Sequence, residues 1–343
     1  MWRKLLPLSY PVLAVPCRGR NPGRDAGPCL VSQSAGEGIQ AETTTLTVRC
    51  GDLRAPAAVE ATLVVAAHAV ASRAPEPILA DPFAEVVVRG VGQQPFLRIV
   101  DGTTNFAEIG YGWCPPLFGI RARTFDEFLL AACRSGIRQA VLLGSGLDCR
   151  AYRLDWLTGM ALYEVDQLTL MDWKPVFLAN CGVTSTARHR CVGADLRQGW
   201  PSALCKAGFD ESQPTAWIIE GLLPAPPSQI LAPISALSCP GSCLTADYFE
   251  GAEPEVVDDV ADQLHGLDSS LGLHSVGSDL PRVDPAAYLA AHGWIGRSAH
   301  LVTAFAAIGR PVPAAIAGPQ HGALLRILRA TRLDTGGLRT ATW

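Results

Sequence analysis

No apolar run in the 343 residues is long enough to cross a membrane. Excess positive charge is missing too: the formal net charge is −4, which excludes a general nucleic-acid binder and leaves small molecules or proteins as substrates. Charged residues are only 17% against 48% hydrophobic, a balance that excludes a disordered chain and suits a well-buried globular one. The eleven cysteines form neither a C-x-x-C pair nor a zinc knuckle. His189-Arg190-Cys191 and the pair Cys239 and Cys243 lack the further partners a metal site needs, so no metal is expected. An odd cysteine count also fits poorly with a disulfide framework, and Cys133, Cys149 and Cys191 sit in apolar or motif segments where a thiol acts as a small hydrophobe. A reducing compartment, the cytoplasm, is the expected location. Nothing in the sequence bears on the oligomeric state.

Residues 1–55 are rich in Gly, Pro, Arg and Ser and carry little periodicity, so they read as a disordered extension or a start assigned too early. Arg3 and Lys4 precede a modest apolar stretch, but Pro7 and Pro11 interrupt it and no small-x-small cleavage site follows, against a secretion signal. Order is expected from Pro56, with 56–343 as one domain: a helical cap over 56–135 and an α/β core over 136–330. The Ala-rich 58–72 predicts a helix without Gly or Pro. Asp81-Pro82 reads as N-cap and first helical residue of a second helix. Gly110, Gly112, Pro115 and Pro116 break 106–118, which reads as a loop, and 121–134 is an amphipathic helix with Phe125, Phe128, Leu129 and Ala132 on one face. Strands and helices then alternate, the signature of a mostly parallel sheet covered on both faces. Strands are expected at 140–144, 161–166, 189–194, 215–220 and 242–248, with a last pair near 300–305 and 322–329.

The stretch 139–167 carries the most chemistry. An apolar run ends in Gly144-Ser145-Gly146, and a second strand-like run, ALYEVD, ends on Asp166, twenty residues after Gly146. That is the first half of a nucleotide-binding βαβ unit: glycine lets the backbone approach a ligand, and a carboxylate can accept from both ribose hydroxyls. A dinucleotide fingerprint requires a third glycine where this chain has Cys149. Its loss argues for a cofactor without a pyrophosphate, a description S-adenosyl-L-methionine meets. A plain tight turn after a buried strand is the alternative for Gly-Ser-Gly taken alone.

Other positions converge on the same sheet edge. Asp195 follows the third predicted strand; its carboxylate can accept from an adenine amine while the Leu196 backbone meets the ring edge, or it can simply cap the next helix. Glu220 closes the apolar run WIIEG and faces either cofactor or substrate. Arg121 opens the predicted helix, where its fork suits a carboxylate; Arg123 and Arg150 compete for that role, and a solvated Arg is the commoner use of such a position.

Six motifs in this order, IRARTFDEF (120–128), VLLGSGLDCRAYRL (141–154), YEVDQ (163–167), ADLRQGWP (194–201), AWIIEGLL (216–223) and YLAAHGW (288–294), resemble the bacterial S-adenosyl-L-methionine-dependent methyltransferases related to leucine carboxyl methyltransferase. The resemblance covers nearly all of the chain from Pro56. It implies a class I methyltransferase fold, Rossmann-like, with a seven-stranded, mostly parallel sheet and an N-terminal helical cap. It places Asp166 on the ribose, Asp195 and Leu196 at the adenine, and the Gly144 turn under the methionine part, with Arg121 near the carboxylate and Glu220 beside the sulfur. The cofactor is then S-adenosyl-L-methionine and the partner a small-molecule or carboxylate methyl acceptor. No residue is assigned a catalytic role. The segment after the E-G-L-L motif reads PAPPSQ and is shorter than the family pattern, which keeps a cofactor-binding protein without turnover as an alternative. An NAD-dependent oxidoreductase is disfavoured by the absent third glycine and by the lack of a Tyr-x-x-x-Lys relay.

Overall fold

The computed structural model describes Leu53 and residues 55–223, 228–249, 284–317 and 325–334. The extension expected over 1–55 lies outside the described residues except for Leu53 and Ala55, as does most of the PAPPSQ segment.

Among the described residues four helices precede the sheet: α1 (Pro56–Arg73), α2 (Ala84–Val91), α3 (Gln94–Val100) and α4 (Cys114–Arg134). The alanines of α1 let another helix come close: a Cβ on Gly119 of α4 would lie 3.0 Å from the Ala71 Cβ. Helix α2 starts at Ala84 rather than at Pro82. Asp81 still caps it, with Oδ1 accepting from the N–H of Phe83 (3.1 Å) and Ala84 (3.0 Å). Helix α4 corrects the loop expected over 106–118, because it starts at Cys114 with Pro115 and Pro116 in its first turn. Proline lacks an N–H, and the first turn has no intrahelical acceptor for one, so both prolines start the helix instead of breaking it. Arg121 consequently sits two turns inside α4 and does not open it. Short α3 had no expectation in the sequence.

The chain continues with β1 (Gln139–Leu143), α5 (Arg150–Arg153), β2 (Ala161–Asp166), α6 (Leu168–Asn180), β3 (Arg188–Gly193), α7 (Trp200–Lys206), β4 (Thr215–Ile219), α8 (Leu231–Ala236) and β5 (Cys243–Phe249). It ends with α9 (Pro285–Ala291), β6 (Trp294–His300), α10 (Thr303–Ala307), α11 (Ala314–Ala317) and β7 (Leu325–Arg332). The strands form one seven-stranded sheet in the order β3-β2-β1-β4-β5-β7-β6, in which β7 is antiparallel to both neighbours and all other pairings are parallel. This is the class I methyltransferase sheet expected above.

Side chains alternate across β1. Ala140 and Leu142 join the core under α1, α4 and α6, while Val141 and Leu143 join the one under α7, α8 and α9. Both faces are thus covered, and the central strands read as unbroken apolar runs. The penultimate strand runs from Trp294 to His300, not over 300–305. It lies at the sheet edge with most residues exposed, so its sequence, WIGRSAH, lacks the apolar run expected of a strand. The apolar residues 301–305 instead lead into the short helix α10, where Leu301 and Phe305 are buried. No helix among the described residues is long and apolar enough to cross a membrane.

Candidate active site

Strand order reverses between β1 and β4, and in open α/β sheets ligands bind beyond the carboxyl ends of the strands at that point. The residues there are the glycine turn after β1, Asp166 at the end of β2 and Glu220 just past β4.

Gly144 donates its N–H to the Val165 carbonyl (2.8 Å) and adopts φ +64, and Gly146 has φ +50. A Cβ at Gly144 would come within 2.8 Å of Leu222, and one at Gly146 within 3.0 Å of the Ala61 Cβ on α1. Both positions demand glycine by backbone angle and by space. The Asp166 carboxylate closes the turn: Oδ2 accepts from the Gly146 N–H and Oδ1 from the Gln167 N–H, each at 2.6 Å. Burial pushes its pKa up, opposed by these two hydrogen bonds. Each oxygen keeps a lone pair beyond the one used.

Arg121 is buried, with Nη1 2.9 Å from Oδ2 of Asp247 and its guanidinium 4.7 Å from the Phe118 ring centre. Its Nε has no hydrogen-bond partner among the described residues. Asp247, in β5, also accepts the Gly221 N–H at 2.6 Å, tying α4 to the turn after β4. Arg123 is half-buried and pairs with Glu127 at 3.0 Å, which removes it as a competitor.

Arg150 is removed as well. Its side chain is fully buried, and all five N–H donors are engaged. Nε reaches Asp126 (2.7 Å), Nη1 reaches Asp148 and Glu220 (3.1 Å), and Nη2 reaches Glu220 (3.0 Å) and the Ala122 carbonyl (3.2 Å). Glu220 is therefore clamped by a bidentate arginine, a partner the sequence did not indicate. Arg153 extends the network, reaching Asp126 at 2.6 Å and Asp81 at 3.3 Å. Asp81 lies 3.9 Å from buried His68 on α1.

Asp195 lies two residues beyond β3, which ends at Gly193, and is half-buried. Its carboxylate accepts from the Arg197 side chain and backbone N–H, which lower its pKa to about 2. Leu196 is half-buried against the core below. Neither contact brings Asp195 to the other site residues. The hydroxyl of Tyr248, in β5, lies 3.0 Å from the Ser298 hydroxyl of β6.

Behind the glycine turn, Lys174 and Glu164 form a fully buried pair at 2.7 Å. Glu164 is the third partner that His189 and Cys191 lacked in sequence, and the three offer ligand atoms within 4.8 Å of one another. The Lys174 ammonium already neutralises the same Glu164 oxygen. A charged residue inside the apolar segments ALYEVD and LTLMDWKPVFLAN was the available signal for this pair, since buried charges come paired. A groove of about 810 Å³ lies elsewhere, along β6 and the outer face of α4, and none of the six predicted cofactor residues lines it.

Comparison with known proteins supplies the family. Residues 61–225 match the family model described as leucine carboxyl methyltransferase. A protein of Mycobacterium marinum named "Putative S-adenosyl-L-methionine-dependent methyltransferase" is 42% identical over 261 residues, covering 71% of this chain and 84% of its own length. A protein of the same name from Mycobacterium ulcerans is 38% identical over 285 residues, covering 77% and 88%. A solved structure from Thermobifida fusca, titled as a putative methyltransferase, aligns over 86% of this chain and 100% of its own at 12% identity and TM-score 0.42. By its sequence relatives, the chain belongs to the S-adenosyl-L-methionine-dependent methyltransferases.

Proposed function

We propose that the edge formed by the Gly144 turn, Asp166, Arg121 and Glu220 binds S-adenosyl-L-methionine and presents it to a small-molecule or carboxylate acceptor. The observation that carries this reading is the Nε of buried Arg121, unpartnered among the described residues, on a guanidinium tied through Asp247 to the turn after β4. An amino-acid carboxylate satisfies it. Asp166 accepts the ribose hydroxyls on its remaining lone pairs, and the Gly144 turn, with no Cβ at Gly144 or Gly146, lies under the methionine part. Asp195 turns from exposed Arg197 to the adenine amine, with the Leu196 backbone at the ring edge. Glu220, fixed by Arg150, keeps a negative charge beside the sulfonium. Residues 56–135 cap this edge, and 56–343 work as one domain, to which Leu53 also belongs, buried in the core with its carbonyl accepting from Gln93.

Bound there, S-adenosyl-L-methionine supplies an electrophilic methyl carbon. The task of the protein is to hold an acceptor in line with it and to exclude water. A carboxylate acceptor is ionised at neutral pH and needs no general base, which agrees with a site whose carboxylates are all committed to neighbouring donors.

The first test is thermal unfolding with added ligand. S-adenosylhomocysteine should raise the melting temperature and NAD should not, because only a ligand bound by the folded state stabilises it. A rise with NAD alone would overturn the reading. Transfer of a labelled methyl group into a cell extract then separates turnover from binding alone.

A further inference from the structure

We propose that Lys174 is a positioning residue for the cofactor, an ammonium that locks the peptide planes of the glycine turn from behind. The proposal rests on the assignment of that turn to S-adenosyl-L-methionine.

Lys174 lies on α6, on the side of the turn away from β4, and its side chain is completely buried. A lysine is seldom buried to that extent, because desolvation disfavours its charge. Here Glu164 and Asp148 outweigh burial and hold its pKa above the usual lysine value. Its ammonium donates hydrogen bonds to the Asp148 carbonyl (2.9 Å) and the Gly146 carbonyl (3.1 Å) and forms an ion pair with Glu164 Oε2 at 2.7 Å.

Stability alone does not call for this arrangement. An apolar pair of similar volume in place of Lys174 and Glu164 would be about as stable, since a buried ion pair scarcely repays its desolvation. What an apolar pair cannot do is hold two loop carbonyls. The peptide unit is planar and trans, so fixing the Gly146 and Asp148 oxygens also fixes the N–H directions of Leu147 and Cys149. From the other side Asp166 holds the Gly146 N–H. Between the ammonium and the carboxylate, the backbone of 146–149 is set before any ligand arrives, and binding need not order it. A glycine turn without such a clamp would sample many conformations, the cost of the freedom it needs at Gly144 and Gly146.

The test compares Lys174→Met, Glu164→Gln and the double variant with the wild type. Three quantities are read: melting temperature, amide hydrogen exchange of residues 145–149 without ligand, and S-adenosylhomocysteine affinity by calorimetry. Glu164→Gln keeps an acceptor for the ammonium and should leave loop exchange and affinity close to wild type. Lys174→Met should lower the melting temperature, because it strands a buried carboxylate. The double variant should recover much of that loss while its loop amides exchange faster and its affinity stays about tenfold weaker, the loss expected for a charge-assisted hydrogen bond. Recovery of affinity together with stability, or unchanged loop exchange in the double variant, would overturn the proposal. If Lys174→Met does not fold, Lys174→Gln keeps one donor and should show intermediate loop exchange; wild-type exchange in that variant counts equally against the clamp. Wild-type protein that binds no S-adenosylhomocysteine sinks the cofactor assignment instead, and the ligand-free exchange data still decide whether Lys174 holds the turn.

Discussion

Arg150 and Arg121 are both buried arginines at one sheet edge, and they differ in what their donors have left to do. Arg150 uses all five inside the protein, so its work is to join α4, the loop after β1 and the end of β4. Arg121 spends one on Asp247 and leaves Nε unused. Arg121→Lys tests the distinction, because lysine keeps the charge opposite Asp247 but loses the planar fork. Affinity for S-adenosylhomocysteine should fall by about 1–2 kcal/mol with little change in melting temperature. Affinity for methylthioadenosine, which has no carboxylate, should not move. Equal losses for both ligands in calorimetry would take the carboxylate role away from Arg121. Arg150→Met should instead destabilise the fold by about 3–5 kcal/mol in denaturant titration, since it leaves Asp126, Asp148 and Glu220 without their shared cation. A variant as stable as wild type would show that the three carboxylates do not depend on it. Asp166 was legible in the sequence because it ends an apolar strand after a glycine turn. The tie between Arg150 and Glu220 was not, because the two lie 70 residues apart and only the closed sheet brings them together.

At the scale of elements, the sequence read well wherever burial on both faces left an unbroken apolar run. Strands β1, β2, β4 and β5 lie within a residue of their expected starts for that reason, and β3, a largely exposed edge strand, does so without such a run. The sequence misled where position in the fold relaxes the rule. An edge strand such as β6 needs few apolar residues, and prolines in a first turn such as that of α4 cost nothing. The packing of α4 on α1 was equally hidden, since a glycine in an amphipathic helix reads only as a weak position. Gly119 is where the two helices approach, with the Ala71 Cβ at 3.0 Å from any added Cβ. Gly119→Val should therefore destabilise by about 1–3 kcal/mol through overpacking, although valine is a better helix former than glycine. Chemical denaturation that showed a gain in stability would mean that α1 gives way and is not fixed against α4.

For the molecule as a whole, two histidines set opposite limbs of the stability profile. His68, on α1, is held neutral: burial and then the charges of Arg153 and Arg150 lower its pKa from 6.5 to about 3. The unfolded chain takes up that proton below pH 6.5 and the folded one does not, so stability falls as pH drops from 6.5 toward 3. His189 shifts the other way. Burial alone would lower it, but hydrogen bonds with Cys191 and Glu164, beside the buried Lys174 and the Tyr152 ring, raise its pKa from 6.5 to about 9. Its contribution is present in full below pH 6.5 and is lost as pH rises through about 9. Each histidine adds a slope of about 1.4 kcal/mol per pH unit on its own limb, and the two together place the maximum near pH 6.5. Denaturation midpoints measured from pH 4 to pH 9.5 should trace that peak. His68→Gln should flatten the acid limb alone, since its Nε2 has no hydrogen-bond partner to lose among the described residues, and His189→Gln should flatten the alkaline limb alone. If neither substitution changes its own limb, the pH profile belongs to the buried carboxylates and not to these two imidazoles.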